Sequence, residues 1–259
     1  MMEENKKPII IIIVLIVITL GLTGYIVYDH FFAKPQEEKQ YTTVIDDVSI
    51  DINKLYEVGE ILDTFDKAFG TSDTKYLGYI YNSKTIEVKD FDKNAALYAS
   101  IYDKLIRSNT DQTIENSRIK NKYESIFGRL LEYKPNGLDL GNNIKITYDN
   151  TNKVYKYKAS IINNDHKSEY LARNIKTTLK DDEVIVTRKI FYVEYSNTNA
   201  IIYTNSSKSN KVGEVTLKNG EVNLKEVTGK YGSRLNTYDV TFKLGDNDEY
   251  NFYKIERTK

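Results

Sequence analysis

Residues 184–195 read VIVTRKIFYVEY, a run of mostly β-branched and aromatic side chains. Such side chains suit the half-buried surface of a sheet, so the stretch predicts a long β-strand. Outward from it, alternating apolar and polar residues separated by turn residues predict six shorter strands. These are residues 144–148, 154–157, 200–204, 212–217, 237–243 and 250–256. Because we find no crossover helix between them, the strands are expected to pair antiparallel.

The segment that precedes this sheet is predicted to be helical. Apolar residues at steps of three and four share one face of a first helix, which Gly70 ends: Leu55, Val58, Leu62, Phe65 and Phe69. A second helix is predicted for residues 93–107, with Asp92 as its N-cap, and a third for residues 114–127, before Gly128. Between the first two helices, residues 76–81 and 85–88 predict a small hairpin or an extended connector.

Helices followed by antiparallel strands define an α+β fold. Its parts are a small helical region at residues 41–129 and an antiparallel β-sheet region at residues 130–259. The order of helices and then a curved sheet is similar to that of NTF2-like and cystatin-like folds. That similarity concerns shape alone, because such folds host many unrelated functions.

Several stretches carry a further resemblance: residues 122–128 at the end of a predicted helix, residues 148–150 before a tyrosine-rich strand, and the closing pair at residues 238–242 and 249–253. In these stretches the chain resembles a group of uncharacterised exported proteins from low-GC Gram-positive bacteria and their gut relatives, which one amino-terminal helix anchors in the membrane. The resemblance covers most of the chain after the anchor. It implies a location in the cell envelope, and it brings no activity and no site residues.

An uninterrupted apolar run without charge, residues 8–28, predicts a transmembrane helix. As a helix, its 21 residues span roughly 31 Å, close to the hydrocarbon thickness of a bilayer. Lys6 and Lys7 precede the run and no small-x-small cleavage site follows it, so we expect an uncleaved signal-anchor rather than a cleaved signal peptide. The expected topology is a short cytoplasmic tail at residues 1–7, the single-pass helix at 8–28, a linker at 29–40 and an extracytoplasmic domain.

Composition excludes several classes of site. The 37 basic and 37 acidic side chains balance, which leaves no electrostatic footprint for a nucleic acid. Without cysteine there is no disulfide, no thiolate nucleophile and no cysteine-based zinc site. The 22 tyrosines suit half-buried sheet positions; a tyrosine-rich surface that grips sugars or peptides is the alternative.

Catalytic motifs are weak. Only His30 and His166 occur, too few for a histidine triad or a multi-histidine metal centre. We expect His30 at the membrane border and His166 in a turn. Ser117 and Lys120 fit the Ser-x-x-Lys pattern of some hydrolases but lack the supporting motifs, and Asn205 begins a glycosylation acceptor that marks an exposed loop.

Acidic residues gather in three stretches: Asp46, Asp47 and Asp51; Asp181, Asp182 and Glu183; Asp246, Asp248 and Glu249. The first stretch is expected to favour the start of the first helix, and the other two to form turns. Asp246 and Asp248 begin the spacing of a calcium loop, but Tyr250 stands at the third ligand place. We therefore predict no catalytic residue, no cofactor and no metal site.

The predicted function is that of a single-pass membrane-anchored extracytoplasmic protein with a non-catalytic binding or interaction domain. The expected partners are the lipid bilayer, through residues 8–28, and an envelope protein or a cell-wall ligand. Exposed tyrosines on the sheet, or a groove between helices and sheet, would form the contact surface. Two alternatives stay open: a cell-wall hydrolase that uses two carboxylates across a cleft, and a subunit of a membrane complex.

Overall fold

The computed structural model describes residues 52–70, 74–105, 112–141, 144–157, 168–246 and 248–259, all within one unit of residues 41–259. The predicted tail, transmembrane helix and linker, residues 1–40, lie outside the described residues. Among the residues that are described, no helix combines the length and the apolar character needed to cross a bilayer.

The described residues form an α+β fold in which every strand pair is antiparallel. The helices are α1 (Ile52–Gly70), α2 (Lys93–Leu105), α3 (Asn116–Phe127) and α4 (Leu224–Tyr231). The strands are β1 (Thr85–Glu87), β2 (Gln112–Glu115), β3 (Leu138–Asp139), β4 (Lys145–Asp149), β5 (Val154–Tyr157), β6 (Ser168–Lys180), β7 (Glu183–Tyr195), β8 (Asn199–Tyr203), β9 (Lys211–Thr216), β10 (Asn236–Leu244) and β11 (Tyr250–Arg257). Short 3₁₀ turns follow β1, α3 and α4.

The larger sheet has seven strands and forks along the hairpin of β6 and β7. Residues 183–190 of β7 pair with β10, which continues to β11 and β1; we call this branch the major wing. Residues 192–195 of β7 pair with β8, which continues to β9; we call this branch the minor wing. On its other edge β7 pairs with β6, with a bulge at Ile175 close to the fork. A separate four-stranded sheet has the order β2-β5-β4-β3.

At the fork, β7 is buried on both faces. Ile190 and Tyr192 point into the main core, which α1, α2, α3 and both sheets share. Phe191 and Val193 point the other way, into a smaller core with Val227 of α4. Successive side chains of a strand face opposite sides, so α1 and α3 pack on one face of β6 and β11, and α4 packs on the opposite face, at the minor wing.

Aromatic rings fill the space between the helices and the major wing. Phe65 of α1, Phe91, Phe127 of α3 and Phe252 of β11 contact one another with ring centroids 5.0 to 6.2 Å apart. All four side chains are buried. The apolar spacing that predicted α1 and α3 and the alternation that predicted β11 therefore also place three of these four rings in the core.

Most predicted elements are confirmed. The first helix and the predicted strands lie where the periodicity places them, with ends that differ by a residue or so. Asp92 caps α2, since its Oδ1 accepts a hydrogen bond from the backbone N–H of Ala95 at 2.8 Å. Gly128 ends α3 with a φ of 60°.

Two predictions at the element level are corrected. Residues 76–81 form turns, with Gly78 at a φ of 70°, and β1 pairs with the distant β11, so the hairpin, one of the two predicted alternatives, is wrong. The third helix begins at Asn116 rather than at residue 114, because residues 112–115 pair with β5. Strands β2, β3 and β6 and helix α4 were not predicted.

Candidate binding surface

An ion pair between a buried arginine and a half-buried aspartate joins α1 to β7. Arg188 is 3% exposed, and its Nη1 and Nη2 donate to Oδ1 and Oδ2 of Asp66 at 2.9 and 2.5 Å. Its Nε donates to Oδ1 of Asn174 at 2.7 Å, and the hydroxyl of Tyr81 donates to Oδ1 of Asp66 at 2.5 Å. The guanidinium charge is thus paired and hydrogen-bonded, as burial requires.

This cluster lies between α1 and the sheet, where a groove was one of the two expected contact surfaces. Burial, and then the negative charge of Asp66, raise the pKa of Tyr81 well above its usual range. Tyr81 therefore stays protonated and keeps donating its hydrogen bond. The arrangement fixes α1 on the sheet.

Half of the tyrosines are buried, on helices and in turns as well as on strands, whereas the composition suggested half-buried positions of the sheet. Eleven of them are buried: Tyr76, Tyr81, Tyr98, Tyr102, Tyr123, Tyr155, Tyr157, Tyr170, Tyr192, Tyr238 and Tyr250. Tyr170 shows the pattern, since its hydroxyl donates to Oδ1 of Asn82 at 2.5 Å and accepts from the backbone N–H of Ser206 at 2.8 Å. Tyr56, on α1, is exposed.

The residues that the sequence marked as candidates lie apart from one another. His30, His166, Asp46, Asp47 and Asp51 fall outside the described residues or have side chains that are not described. Asp181 and Asp182 form the turn between β6 and β7, and Asp246, Asp248 and Glu249 lie in the turn between β10 and β11. Within the described residues, no group of three or more acidic or histidine side chains is placed to hold a metal ion.

The Ser-x-x-Lys pair does not form a catalytic arrangement. Both residues are exposed near the start of α3: the Ser117 hydroxyl donates to Oε2 of Glu115 at 3.4 Å, and Lys120 Nζ lies 3.6 Å from Oε1 of Glu124. Asn205 lies in the turn after β8, where its Oδ1 accepts from the Ser207 hydroxyl at 2.6 Å. These contacts are ordinary surface and turn contacts, so they give Ser117, Lys120 and Asn205 structural roles.

The minor wing presents a mixed polar and apolar face on the side away from α4. Glu194 of β7 lies opposite Ile201 of β8, which lies opposite Glu214 of β9, so the three side chains form one row across the strands. Tyr203 lies two residues from Ile201 on the same face, and both are half-buried. We call Glu194, Ile201, Tyr203 and Glu214 the minor-wing face.

Lysine and amide groups already hold both carboxylates of this face. Lys208 Nζ donates to Oε1 of Glu194 at 2.6 Å, and the Tyr203 hydroxyl lies 3.4 Å from its Oε2. The Lys208 hydrogen bond lowers the pKa of Glu194. Glu214 accepts from Asn199 Nδ2 at 3.0 Å and from Lys211 Nζ at 3.4 Å. The face is therefore an ordered array of hydrogen-bonding groups around an aliphatic and an aromatic side chain.

The separation of the Glu194 and Glu214 carboxylates and the pKa of Glu194 can be compared with what the hydrolase alternative requires. Their backbones lie two strand spacings apart, about 10 Å. A glycoside hydrolase needs one carboxyl group with a raised pKa to protonate the leaving oxygen. Glu194 does not fit that role, since Lys208 shifts its pKa the other way.

A shallow concavity of about 380 Å³ lies at the edge of the four-stranded sheet. Its lining comes from Gly137, β3 and residues 145–148 of β4. Leu138 and Ile146 are buried, Tyr148 is half-buried, and Asp139, Lys145 and Thr147 are exposed.

Sequence reasoning missed the minor-wing face. Its members come from three strands, and their alignment depends on a bulge that makes Val212 an extra residue between the partners of Ile202 and Tyr203. The alternation of each strand predicts which residues share a face, but no local signal fixes this register.

Comparison of the chain with protein-family models, with curated proteins and with solved structures finds no match.

Proposed function

We propose that this chain is a single-pass membrane-anchored extracytoplasmic protein, with its amino terminus inside, whose α+β domain binds an envelope partner without catalysis. The uncharged apolar run at residues 8–28 supports the anchor, and the resemblance to anchored exported proteins supports the envelope location. We also propose a general shape similar to NTF2-like or cystatin-like folds, supported by the packing of α1 and α3 against an antiparallel sheet.

The minor-wing face carries the proposal of binding. Ile201 and the Tyr203 ring provide apolar surface, and the polar groups beside them are held in place by hydrogen bonds. Binding sites for proteins and for small ligands combine such apolar surface with a few oriented polar groups. Because Lys208 and Lys211 balance Glu194 and Glu214, the face suits a partner segment of low net charge.

A cell-wall hydrolase is the second candidate, because Glu194 and Glu214 lie on one face in one row. The two candidates differ in what the carboxylates must do. Glu194→Gln and Glu214→Gln would each abolish hydrolysis of isolated cell wall if the pair were catalytic. Under the binding proposal the wild-type chain releases no soluble wall fragments, and neither variant changes that.

Site-specific photo-crosslinking in intact cells tests the proposal. A photoreactive residue replaces Ile201 in the full chain, and a matched variant carries it at Ile185, another half-buried isoleucine of the sheet, on the major wing. We expect a discrete adduct from position 201 and none from position 185. Equal adducts at both positions, or none at 201 in a chain that reaches the membrane, would contradict binding at this face.

If residues 8–28 fused to an unrelated domain captured the same partner, the result would instead support a subunit of a membrane complex.

A further inference from the structure

Strand β9 ends the minor wing, and its free edge is covered by side chains instead of by another strand. The Tyr231 hydroxyl, at the end of α4, accepts from the backbone N–H of Glu214 at 3.3 Å and donates to its C=O at 3.0 Å. Nη2 of Arg234, in the turn after α4, donates to the backbone C=O of Lys211 at 3.2 Å. These are the groups that an added antiparallel strand would use.

Gly213 lets this cover lie close to the strand. A Cβ at this position would overlap the Tyr231 ring, so the absence of a side chain makes room for the ring over β9. We call residues 224–234, that is α4 and the turn after it, the strap.

One buried side chain and a few surface contacts hold the strap. Val227 is the one residue of α4 that is fully buried. Leu224 and Tyr231 pack against the smaller core, Arg173 donates to the Thr228 hydroxyl, and Lys218 Nζ lies 3.3 Å from Oε2 of Glu226. Gly229, inside α4, has no atom within 4 Å of an added Cβ, so no close packing requires glycine there. Glycine in a helix interior lowers helix stability relative to alanine, so Gly229 favours opening.

The edge beneath the strap is self-complementary. Lys211 and Glu214 lie on the same face of β9, with Nζ and Oε2 3.4 Å apart. If a second β9 were placed antiparallel with Lys211 opposite Glu214 of the second copy, the outward backbone groups of these two residues would meet their counterparts, with the bulged pair Val212 and Gly213 of each copy between them. Each lysine would then face a glutamate across the new strand pair.

We infer that the strap is a removable cover, and that the uncovered β9 edge pairs with β9 of a second copy of this chain. The covered state keeps the protein from associating through this edge, as natural sheets protect their ends. Release of the strap would join the minor wings of two copies into one continuous sheet.

Charge exchange tests the pairing in the full chain in detergent. Tyr231→Phe keeps the ring over Gly213 and removes both of its hydrogen bonds, and Arg234→Ala removes the third. In this opened background we expect the dimer fraction, measured by sedimentation, to rise about tenfold. Adding Lys211→Glu should abolish the rise, and Lys211→Glu with Glu214→Lys should restore it.

Gly229→Ala is the opposite variant, since a more stable α4 should hold the strap closed. In the otherwise wild-type chain it is expected to lower the dimer fraction about threefold. The inference would be overturned if the dimer fraction did not rise in the Tyr231→Phe, Arg234→Ala background, or if it rose equally with and without Lys211→Glu. Amide hydrogen exchange shows whether the strap opened: exchange at Glu214 should rise about tenfold, and an unchanged rate would refute the cover itself.

Cysteine pairs test the register, because the natural chain has no cysteine. Because of the bulge at Val212, Lys211 and Glu214 lie opposite Tyr203 and Ile201, so Lys211→Cys and Glu214→Cys in one chain lie about 7 Å apart, at the outer limit for an internal disulfide. Opposed across the proposed pair they lie about 5.5 Å apart, within disulfide range. A non-reducing gel separates an internal bond from a crosslinked dimer. We expect crosslinked dimer in the opened background and little from Lys176→Cys with Lys180→Cys on β6. Equal crosslinking at both sites, or crosslinking to another protein only, would overturn pairing with a second copy.

Discussion

Arg188 of β7 and Asp66 of α1, 122 residues apart in the chain, meet in a bidentate ion pair at the boundary between helix and sheet. Asn174 completes the arginine's contacts from β6, one residue before the bulge at Ile175. The pair therefore ties the first helix to the central hairpin just where the sheet forks. Apolar packing tolerates different side chains and small shifts of the elements that carry them. The two parallel hydrogen bonds of a bidentate ion pair instead fix how the two elements are oriented.

Removal of one partner should be costly, because the other charge would be left buried. We predict that Asp66→Ala lowers the free energy of unfolding by about 3 kcal/mol. Asp63→Ala is the matched control on the same helix, since its partner Lys67 is half-exposed, unlike the buried Arg188, and a charge that can reach water loses a partner at less cost. Urea unfolding of the full chain in detergent measures both, and equal losses would contradict the structural role of the Asp66 and Arg188 pair.

The contact between Gly213 and Tyr231 should appear as a coupling energy. Gly213→Ala places a methyl group against the Tyr231 ring, and overpacking of this kind costs about 1–3 kcal/mol. In a Tyr231→Ala background the same substitution should cost less, because the obstacle is gone. A double-mutant cycle on the free energy of unfolding measures the difference, and additive effects would show that the two residues do not touch.

Gly128 should be more sensitive to substitution than Gly220, although both have positive φ. Gly128 combines a φ of 60° with a ψ of −153°, a region that is almost restricted to glycine, and an added Cβ would lie 2.6 Å from Oδ1 of Asn251. Gly220 has a φ of 83° and open space around it. We expect a loss of about 3 kcal/mol for Gly128→Ala and about 1 kcal/mol for Gly220→Ala. A reversed order in thermal unfolding would refute the close approach of Asn251.

Stability should fall steeply in alkali. Burial is the main cause that raises the pKa of Tyr76 and of Tyr238 to about 12, whereas an exposed phenol titrates near 10. Between these values the unfolded chain releases the proton first, so the stabilisation is complete below pH 10 and is lost as the pH approaches 12. The expected loss is about 1.4 kcal/mol per pH unit for each group.

Urea unfolding between pH 8 and pH 12 checks this slope. Tyr76→Phe should make it shallower, and Tyr56→Phe, at an exposed position of α1, should leave it unchanged. A pH-independent free energy of unfolding over this range would contradict the burial of these hydroxyls.

Local sequence patterns predicted the helices and strands whose apolar residues recur at a regular spacing. The helix through Val58 and Phe69 and the strand through Val184 and Val193 were correct because side chains at those spacings face one core. Strand β6 was missed, since it is mostly polar and the bulge at Ile175 interrupts its alternation. Helix α4 was missed because Val227 is its one buried residue, and its stability depends on contacts with a distant strand.

The candidate site was less predictable than the fold. Glu194, Ile201 and Glu214 share a face only because the register of three strands, including the bulge at Val212, brings them into one row. The acidic stretches that drew attention in the sequence occupy turns instead. The residue preferences of turns are local and can be recognised in a sequence, whereas the register between distant strands depends on tertiary packing.

The binding isotherm of the full-length protein on envelopes from cells that lack it is the most direct measurement of the central claim. Ile201→Lys and Tyr203→Ala should each bind at least about tenfold more weakly than wild type, since these two residues form the proposed apolar hot spot of the interface, and loss of a hot-spot residue costs about 2 kcal/mol or more. Ile185→Lys, the matched change on the major wing, should bind like wild type. Unchanged affinity of both minor-wing variants, or an equal loss in Ile185→Lys, would contradict the assignment of binding to the minor-wing face.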